Sequence, residues 1–289
     1  MKVLVFGAKG FIGSQFVANT KHDVFIAKTR PENYEQCYKE IKSVNPDSVL
    51  SFIGRTYGVD EKTGQIIPTI DYLELPGKLK DNLRDNLVAP MNLAHMCETL
   101  NIHFLYLGTG CIYTYKDDKK IFTEEDTHNF TGSSYSTVKG QTDQLLRRFK
   151  NTLQLRIRMP IFYTKSPRNF IDKIVSYPNI CSIPNSMSVM DDMWVIMDKM
   201  IDEKEAGVYN LTNPGTITHS WILNKYKEFV NPNHTWNEIT YEEQMKFLKS
   251  ERSNNELDTK KLQDFCQKHG IQLLPIEESV LECIKARIE

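Results

Sequence analysis

Val3-Leu4-Val5-Phe6-Gly7-Ala8-Lys9-Gly10-Phe11-Ile12-Gly13 is an apolar run of four residues that breaks into three glycines, with two residues between each and the next. The run is short and rich in β-branched and aromatic side chains, which suits a strand buried on both faces of a parallel sheet. A helical pattern follows it, with Phe11, Ile12, Phe16 and Val17 on one side. Without side chains, the loop between strand and helix can turn tightly. Its backbone N–H groups can then approach a phosphate, and the helix N-terminus adds its positive end. The alternative is a tight turn that binds nothing; the strand before it and the helix after it favour a binding loop.

Further short apolar runs lie at 23–27, 48–53, 103–107 and 153–157, with helical spacing at 34–44, 81–100 and 134–149 between them. Strand alternating with helix predicts a parallel sheet covered on both faces. After Pro160 the texture changes, and prolines at 160, 167, 178, 184, 214, 232 and 275 punctuate shorter elements. Residues 207–211 read as one more strand, 220–229 and 255–268 as helices, and 117–120 as a solvated turn. The fold expected is α/β, a Rossmann-type doubly wound parallel sheet. Residues 1–160 would form the dinucleotide-binding domain, joined by a strand returning near 205–213. Residues 161–289 would form a smaller α/β portion that leans over the carboxyl edge of the sheet and holds substrate.

The chain has 289 residues, with 36 Lys plus Arg against 37 Asp plus Glu. That length allows one large domain or two tightly joined ones, with a core that needs no staples. A formal net charge of −1 argues against a wide grip on nucleic acid or anionic lipid. No run approaches the roughly 18 apolar residues of a membrane span, and the opening segment lacks the apolar core of a secretory signal. Cysteines 37, 97, 111, 181, 266 and 283 form no closely spaced pair. They read as free thiols in a reducing compartment, the cytoplasm. The histidines show no metal-ligand spacing, so no metal is expected.

The end of the second strand selects the dinucleotide. A carboxylate there binds the ribose 2′-OH of the non-phosphorylated form. The segment is instead Ala27-Lys28-Thr29-Arg30, with no acid until Glu32. Lys28 and Arg30 suit a 2′-phosphate, which Arg can grip with two hydrogen bonds, so NADPH is the cofactor expected. The alternative is that both cations belong to the surface.

Ser134-Tyr135-Ser136-Thr137-Val138-Lys139 holds Tyr-x-x-x-Lys. On a helix these two side chains share a face, and Lys139 is expected to lower the pKa of Tyr135. Such a Tyr can give a proton to a carbonyl oxygen as hydride reaches its carbon. Thr109, at the carboxyl end of the apolar run beginning at 103, can hydrogen-bond the same oxygen. The set resembles the short-chain dehydrogenase/reductase superfamily, in its extended, nucleotide-sugar-modifying branch. The resemblance implies Thr109, Tyr135 and Lys139 as the catalytic triad. It also implies dinucleotide contacts from Gly7, Lys9, Gly10, Phe11, Ile12, Gly13, Ile53, Gly54, Tyr135, Lys139 and Pro160. Asn86 would position the helix or bind water on the substrate side.

Cys111 lies two residues beyond Thr109. A thiol beside the substrate can move a proton at carbon if a positive neighbour stabilises the thiolate. The chemistry is coherent for a sugar carrying a ketone at C4, because the hydrogens at C3 and C5 are both α to the carbonyl. Inversion needs one acid/base group on each face of the ring. The stretch around Cys111 is similar to that of GDP-fucose synthases, where the partner is a histidine; here Lys173 stands in that place. Several stretches resemble the plant-type UDP-4-keto-6-deoxy-D-glucose 3,5-epimerase/4-reductases. Among them are Thr109-Gly110-Cys111-Ile112, Arg158-Met159-Pro160-Ile161, Pro167-Arg168-Asn169-Phe170-Ile171, Ile183-Pro184-Asn185-Ser186-Met187 and Arg252-Ser253-Asn254-Asn255-Glu256-Leu257-Asp258. The resemblance covers almost the whole chain and implies Cys111 and Lys173 as the epimerisation pair. Substrate contacts would come from Asn86, Arg168, Asn169, Asn185, Arg252 and Asn255, with Arg168 and Arg252 gripping the diphosphate.

The family reading implies 3,5-epimerisation of UDP-4-keto-6-deoxy-D-glucose and NADPH-dependent 4-reduction to UDP-L-rhamnose. One rival is a monofunctional 4-keto reductase in which Cys111 and Lys173 are idle. Another is a non-catalytic NADP-binding regulatory subunit, against which the intact Thr109, Tyr135 and Lys139 argue. Cys111 could also be a packing residue, Lys173 a solvated or phosphate-neutralising one, and Arg168 and Asn169 helix caps. A single glycine loop leaves no second dinucleotide site, so the preceding 4,6-dehydration is expected from a separate protein. The helices at 81–100 and 134–149 resemble those that pair this family into homodimers.

Overall fold

The computed structural model describes residues 1–117 and 121–288; the turn expected at 117–120 lies, from residue 118 on, outside them. Among the described residues six parallel strands form the central sheet. They are β1 (Lys2–Phe6), β2 (Asp23–Ile26), β3 (Ser48–Ser51), β4 (His103–Thr109), β5 (Thr152–Ile157) and β6 (Gly207–Asn210), in spatial order β2-β1-β3-β4-β5-β6. The expected α/β, Rossmann-type parallel sheet is therefore the fold observed. The chain leaves β1 toward β2 and later returns to its other side as β3. That reversal opens a crevice at the carboxyl ends of the strands, where such sheets bind ligands.

The continuous apolar run of β1 is explained by what covers it. Val3 and Val5 point to one face, where they join Phe16 of α1 (Phe11–Asn19). Leu4 and Phe6 point to the other, with Cys37 and Ile41 of α2 (Tyr34–Val44) and Leu93 of α3 (Ala89–Leu100). Period-two alternation thus feeds two cores at once. The sequence predicts one helix over 81–100, whereas helix begins at Leu79 and passes through a π turn at Arg84–Val88 before α3. Pro90 has no N–H to give the carbonyl of Asn86. That oxygen instead accepts from Thr142 Oγ1, 2.7 Å away on α4 (Ser134–Leu146), so the irregular turn docks the two helices.

Residues beyond 160 serve both parts of the molecule. β6, α6 (Met190–Asp202) and α8 (Lys260–Lys268) complete the sheet and one of its covers. A separate cluster is built around Ile171 and Ile174 of α5 (Phe170–Val175), Ile222 of α7 (His219–Phe229), and Val280 of α9 (Ile276–Lys285). The helix expected over 255–268 starts only at Lys260; Glu256–Leu257 is a short strand beside Ile121–Phe122. Tertiary hydrogen bonds override helical spacing there: Leu257 N–H donates to Ser186 Oγ at 3.0 Å and Asp258 N–H to the Phe122 carbonyl at 2.8 Å.

Candidate active site

The glycine loop joins β1 to α1. Gly7 has φ +78°, a left-handed conformation, and a Cβ there would stand 2.8 Å from the Phe52 carbonyl carbon. A Cβ on Gly13 would come within 2.2 Å of the Gly7 carbonyl oxygen, so no side chain fits where helix and loop touch. Gly10 caps α1 without any side-chain hydrogen bond to the first turn, and that turn holds no acid. Its N–H groups are thus available to a phosphate. The loop opens on a cleft of about 440 Å³ that Gly7, Lys9, Gly10, Arg30, Ile53 and Gly54 help to line. The chain therefore offers a cradle that fits a dinucleotide. Gly13→Ala is expected to weaken dinucleotide affinity at least about tenfold by forcing the loop open; fluorescence titration with NADPH reads it, and an unchanged affinity would refute the tight packing.

The remaining cofactor candidates divide. Arg30 stands at the cleft, with Nε 2.5 Å from Glu32 and Nη2 3.5 Å from Asp85. Lys28 is exposed and absent from the cleft lining; its backbone N–H donates to Glu40 at 2.7 Å. Phe11 and Ile12 are half-buried in α1, where the Phe11 ring meets Phe162. Pro160 is half-buried past β5, its carbonyl accepting from Phe170 N–H at 3.3 Å. Arg55 and Asp85 also line the cleft, 2.5 Å apart. Sequence reading missed both, although Arg55 stands four residues past β3, near the carboxyl edge that lines such a crevice.

At the end of β4, Thr109, Cys111 and Tyr135 meet. Ser133 caps α4 by accepting from Ser136 N–H at 3.0 Å, which fixes the helix that carries Tyr135. Tyr135 is buried and hydrogen-bonds Thr109. Thr109 Oγ1 also accepts the Cys111 N–H at 3.0 Å. Cys111 is half-buried, packed against the cluster of Tyr72, Leu73 and Tyr135. The expected lowering of the Tyr135 pKa is corrected: burial raises it, Cys111 adds to the rise, and only the Thr109 hydrogen bond opposes it. Lys139 shares the helix face, but its amine donates to the Tyr106 hydroxyl on β4. Burial pulls the Lys139 pKa down to about 8 against the pull of Asp143 and Cys111.

Lys173, on α5, is half-buried, and its ammonium has no hydrogen bond or ion pair among the described residues. Burial lowers its pKa, and Arg168 lowers it further. Arg168 is exposed, its guanidinium 4.4 Å from the Tyr57 ring and 5.3 Å from the Phe11 ring, with no acidic partner among the described residues. Arg252 is answered by Asp71 at 2.5 Å.

The asparagines expected at substrate turn to the chain instead. Asn169 caps α5 and donates to the carbonyls of Phe162 and Thr164. Asn86 holds the backbone of Arg55 at both N–H and carbonyl. Asn185 and Asn255, both fully buried, tie the stretch after Arg252 to the interior. An amide can bind a sugar hydroxyl or satisfy buried backbone, and sequence does not distinguish the two.

A glycine cradle at the sheet's switch point, together with a Thr, a Tyr and a Lys gathered about β4, defines a nucleotide-dependent dehydrogenase or epimerase. The chain belongs to the NAD dependent epimerase/dehydratase family, whose model matches residues 3–170. The crystal structure of the L780 UDP-rhamnose synthase from Acanthamoeba polyphaga mimivirus superposes with a TM-score of 0.92 at 44% identity, covering 99% of each chain. The bifunctional dTDP-4-dehydrorhamnose 3,5-epimerase/dTDP-4-dehydrorhamnose reductase of Arabidopsis thaliana is 34% identical over 97% of this chain and 91% of its own length. A trifunctional Arabidopsis protein carries UDP-glucose 4,6-dehydratase, UDP-4-keto-6-deoxy-D-glucose 3,5-epimerase and UDP-4-keto-L-rhamnose reductase activities. It is 36% identical over 98% of this chain, which spans 41% of that relative. The resemblance to the epimerase/reductase parts of rhamnose synthases, drawn from the motifs, is thus upheld across the chain.

Proposed function

We propose that the chain inverts C3 and C5 of UDP-4-keto-6-deoxy-D-glucose and then reduces C4 with NADPH, giving UDP-L-rhamnose. The observation that carries this reading is the half-buried Cys111, whose backbone N–H donates to Thr109 Oγ1 and whose thiol packs against Tyr135. A pure reductase has no use for a thiol at the ring. The names of the relatives supply the sugar.

Thr109 and Tyr135 hold the C4 oxygen and donate hydrogen bonds to it as charge builds there. Cys111, as thiolate, takes the proton from C3 or C5, and the C–H electron pair moves onto the C4 oxygen as an enolate. Lys173, as ammonium, returns a proton to the carbon from the opposite face, and the ketone re-forms inverted. Its lowered pKa suits an amine that both gives and takes protons. The nicotinamide, when bound, would supply the hydride for C4; Tyr135 gives its phenolic proton to the C4 oxygen. Arg168, which has no acidic partner among the described residues, grips anionic groups of the substrate.

The glycine loop would hold the pyrophosphate and Arg30 the 2′-phosphate. Arg30→Ala is expected to cut the preference for NADPH over NADH at least about tenfold, as loss of a charge-assisted grip implies. Michaelis constants for the two cofactors check it, and an unchanged ratio would move the 2′-phosphate elsewhere.

The substrate requires a prior 4,6-dehydration at a site other than this one, and a separate dehydratase is our proposal. We also propose a homodimer built on the helices around 79–100 and α4, where Leu83, Val88 and Leu145 are exposed. A cytoplasmic location accords with six free cysteines. Among the described residues no helix is long and apolar enough to cross a membrane. NMR of the products from UDP-4-keto-6-deoxy-D-glucose and NADPH tests the whole reading: UDP-L-rhamnose supports it, and a reduced but uninverted sugar would leave a plain reductase.

A further inference from the structure

We propose that Arg158 is the positioning residue for Cys111, fixing its sulfur and supplying the positive charge that faces it. The inference deepens the reading of Cys111 as an acid/base group and rests on it.

Arg158 follows β5 directly and is 1% exposed. Two other arginines of this chain are as deeply buried, and each has a carboxylate. Arg156 meets Asp143 through Nε at 2.7 Å and Nη2 at 2.9 Å, and Arg287 meets Asp172 at 3.0 Å. Arg158 has no carboxylate among the described residues. Its Nη1 donates to the Gly110 carbonyl at 3.2 Å and to Ser253 Oγ at 2.9 Å. Nε reaches the Ser186 carbonyl at 3.3 Å, and Nη2 reaches the Ser253 carbonyl at 3.1 Å and Asn185 Oδ1. All of these acceptors are neutral. Nη1 also lies 3.8 Å from Cys111 Sγ.

A buried charge is normally paired, because desolvation costs more than neutral dipoles return. The acidic side chain Arg158 touches is the thiol of Cys111. An anionic sulfur there completes an ion pair whose cationic half is already built. Tyr135 and Lys139 face the same sulfur from α4, and Tyr115 and His219 lie near Arg158. Tyr135 and Tyr115 are phenols held in the neutral form by burial, and burial brings the His219 pKa to about 4. Arg158 and Lys139 are therefore the cations at the sulfur.

The same hydrogen bonds fix position. Arg158 and Asn255 both grip the Gly110 carbonyl, and Asn255 also holds that of Tyr113 at 2.8 Å. The turn carrying Cys111 is clamped on both sides. A Cβ on Gly110 would meet Leu257 at 2.6 Å, so the turn cannot shift toward its clamp. Asn185 thus serves the cysteine through Arg158, and Asn255 serves it through the Gly110 carbonyl.

The test is iodoacetamide alkylation of the whole protein across pH, with Cys111 followed by peptide mass. The other five cysteines are buried, which isolates the signal. Arg158→Gln is expected to move the pH midpoint of Cys111 alkylation upward and to slow alkylation at neutral pH at least about tenfold, while Arg158→Lys keeps the midpoint near wild type. Deuterium wash-in at C3 and C5 of the 4-keto sugar is expected to fall much more in Arg158→Gln than 4-keto reduction of an already inverted sugar. A folded Arg158→Gln protein with the wild-type alkylation profile overturns the proposal. Should that variant not fold, Ser253→Ala removes one acceptor of Nη1. Wash-in must then slow relative to reduction, and an unchanged ratio overturns it equally. If wild type shows no wash-in while the alkylation midpoint still moves, the epimerase reading fails and the Arg158–Cys111 pairing stands.

Discussion

Cys111→Ser is expected to lower deuterium wash-in at C3 and C5 by about 10²–10⁴-fold, the range over which a positioned acid or base contributes. A serine hydroxyl fills nearly the same space and can keep the backbone contact with Thr109, so the fold and the dinucleotide cleft should persist. What it loses is ionisation: an alcohol beside Arg158 holds its proton at neutral pH, whereas a thiol can release it. Reduction of an already inverted 4-keto sugar requires no proton from carbon and is expected to survive. The measurement is NMR of the sugar in deuterated water, beside NADPH consumption with the inverted substrate. Wash-in at the native rate would remove Cys111 from the mechanism and leave epimerisation to other groups.

The sequence carried the sheet more legibly than the site. β1 could be read because it is buried on both faces and therefore uniformly apolar, and the glycines because their spacing reflects close contacts between Gly7, Gly13 and Phe52. α6 shows helical spacing in Met190, Met193, Trp194, Met197 and Ile201, yet it lies in a stretch where prolines draw the eye to loops. Cys111 and Lys173 were legible as a pair only through the family resemblance. Arg158 was not legible. In sequence it is one basic residue after a strand, and its meaning lies in the lack of a carboxylate partner among the described residues, a property only packing reveals. Lys28 and Arg30 read alike in sequence but differ in space: two apart on an extended strand they would share a face, but β2 ends at Ile26 and the turn after it leaves only Arg30 at the cleft.

Tyr135→Phe is expected to cost about 10²–10⁴-fold in 4-keto reduction, because it removes the proton that the alkoxide must receive. Deuterium wash-in should fall less, since Thr109 still donates to the enolate oxygen. The pH profile adds a second check. Burial holds the Tyr135 proton firmly, so a group nearby must help when the proton departs. Lys139 is that group. It sits one turn along the same helix, and its amine bonds Tyr106 within the same buried layer. With its pKa lowered to about 8, Lys139 is protonated below that pH and neutral above it. A cation assists a departing proton by stabilising the phenolate, so reduction should be sustained below about pH 8 and decline as pH rises through it. Lys139→Met should flatten that decline while lowering the plateau, and Lys139→Arg, whose charge persists at every accessible pH, should move the decline upward. A reduction rate that rises through pH 8 would mean that neutral Lys139 is the active form, acting as acceptor rather than as counter-charge, and would reverse the assignment.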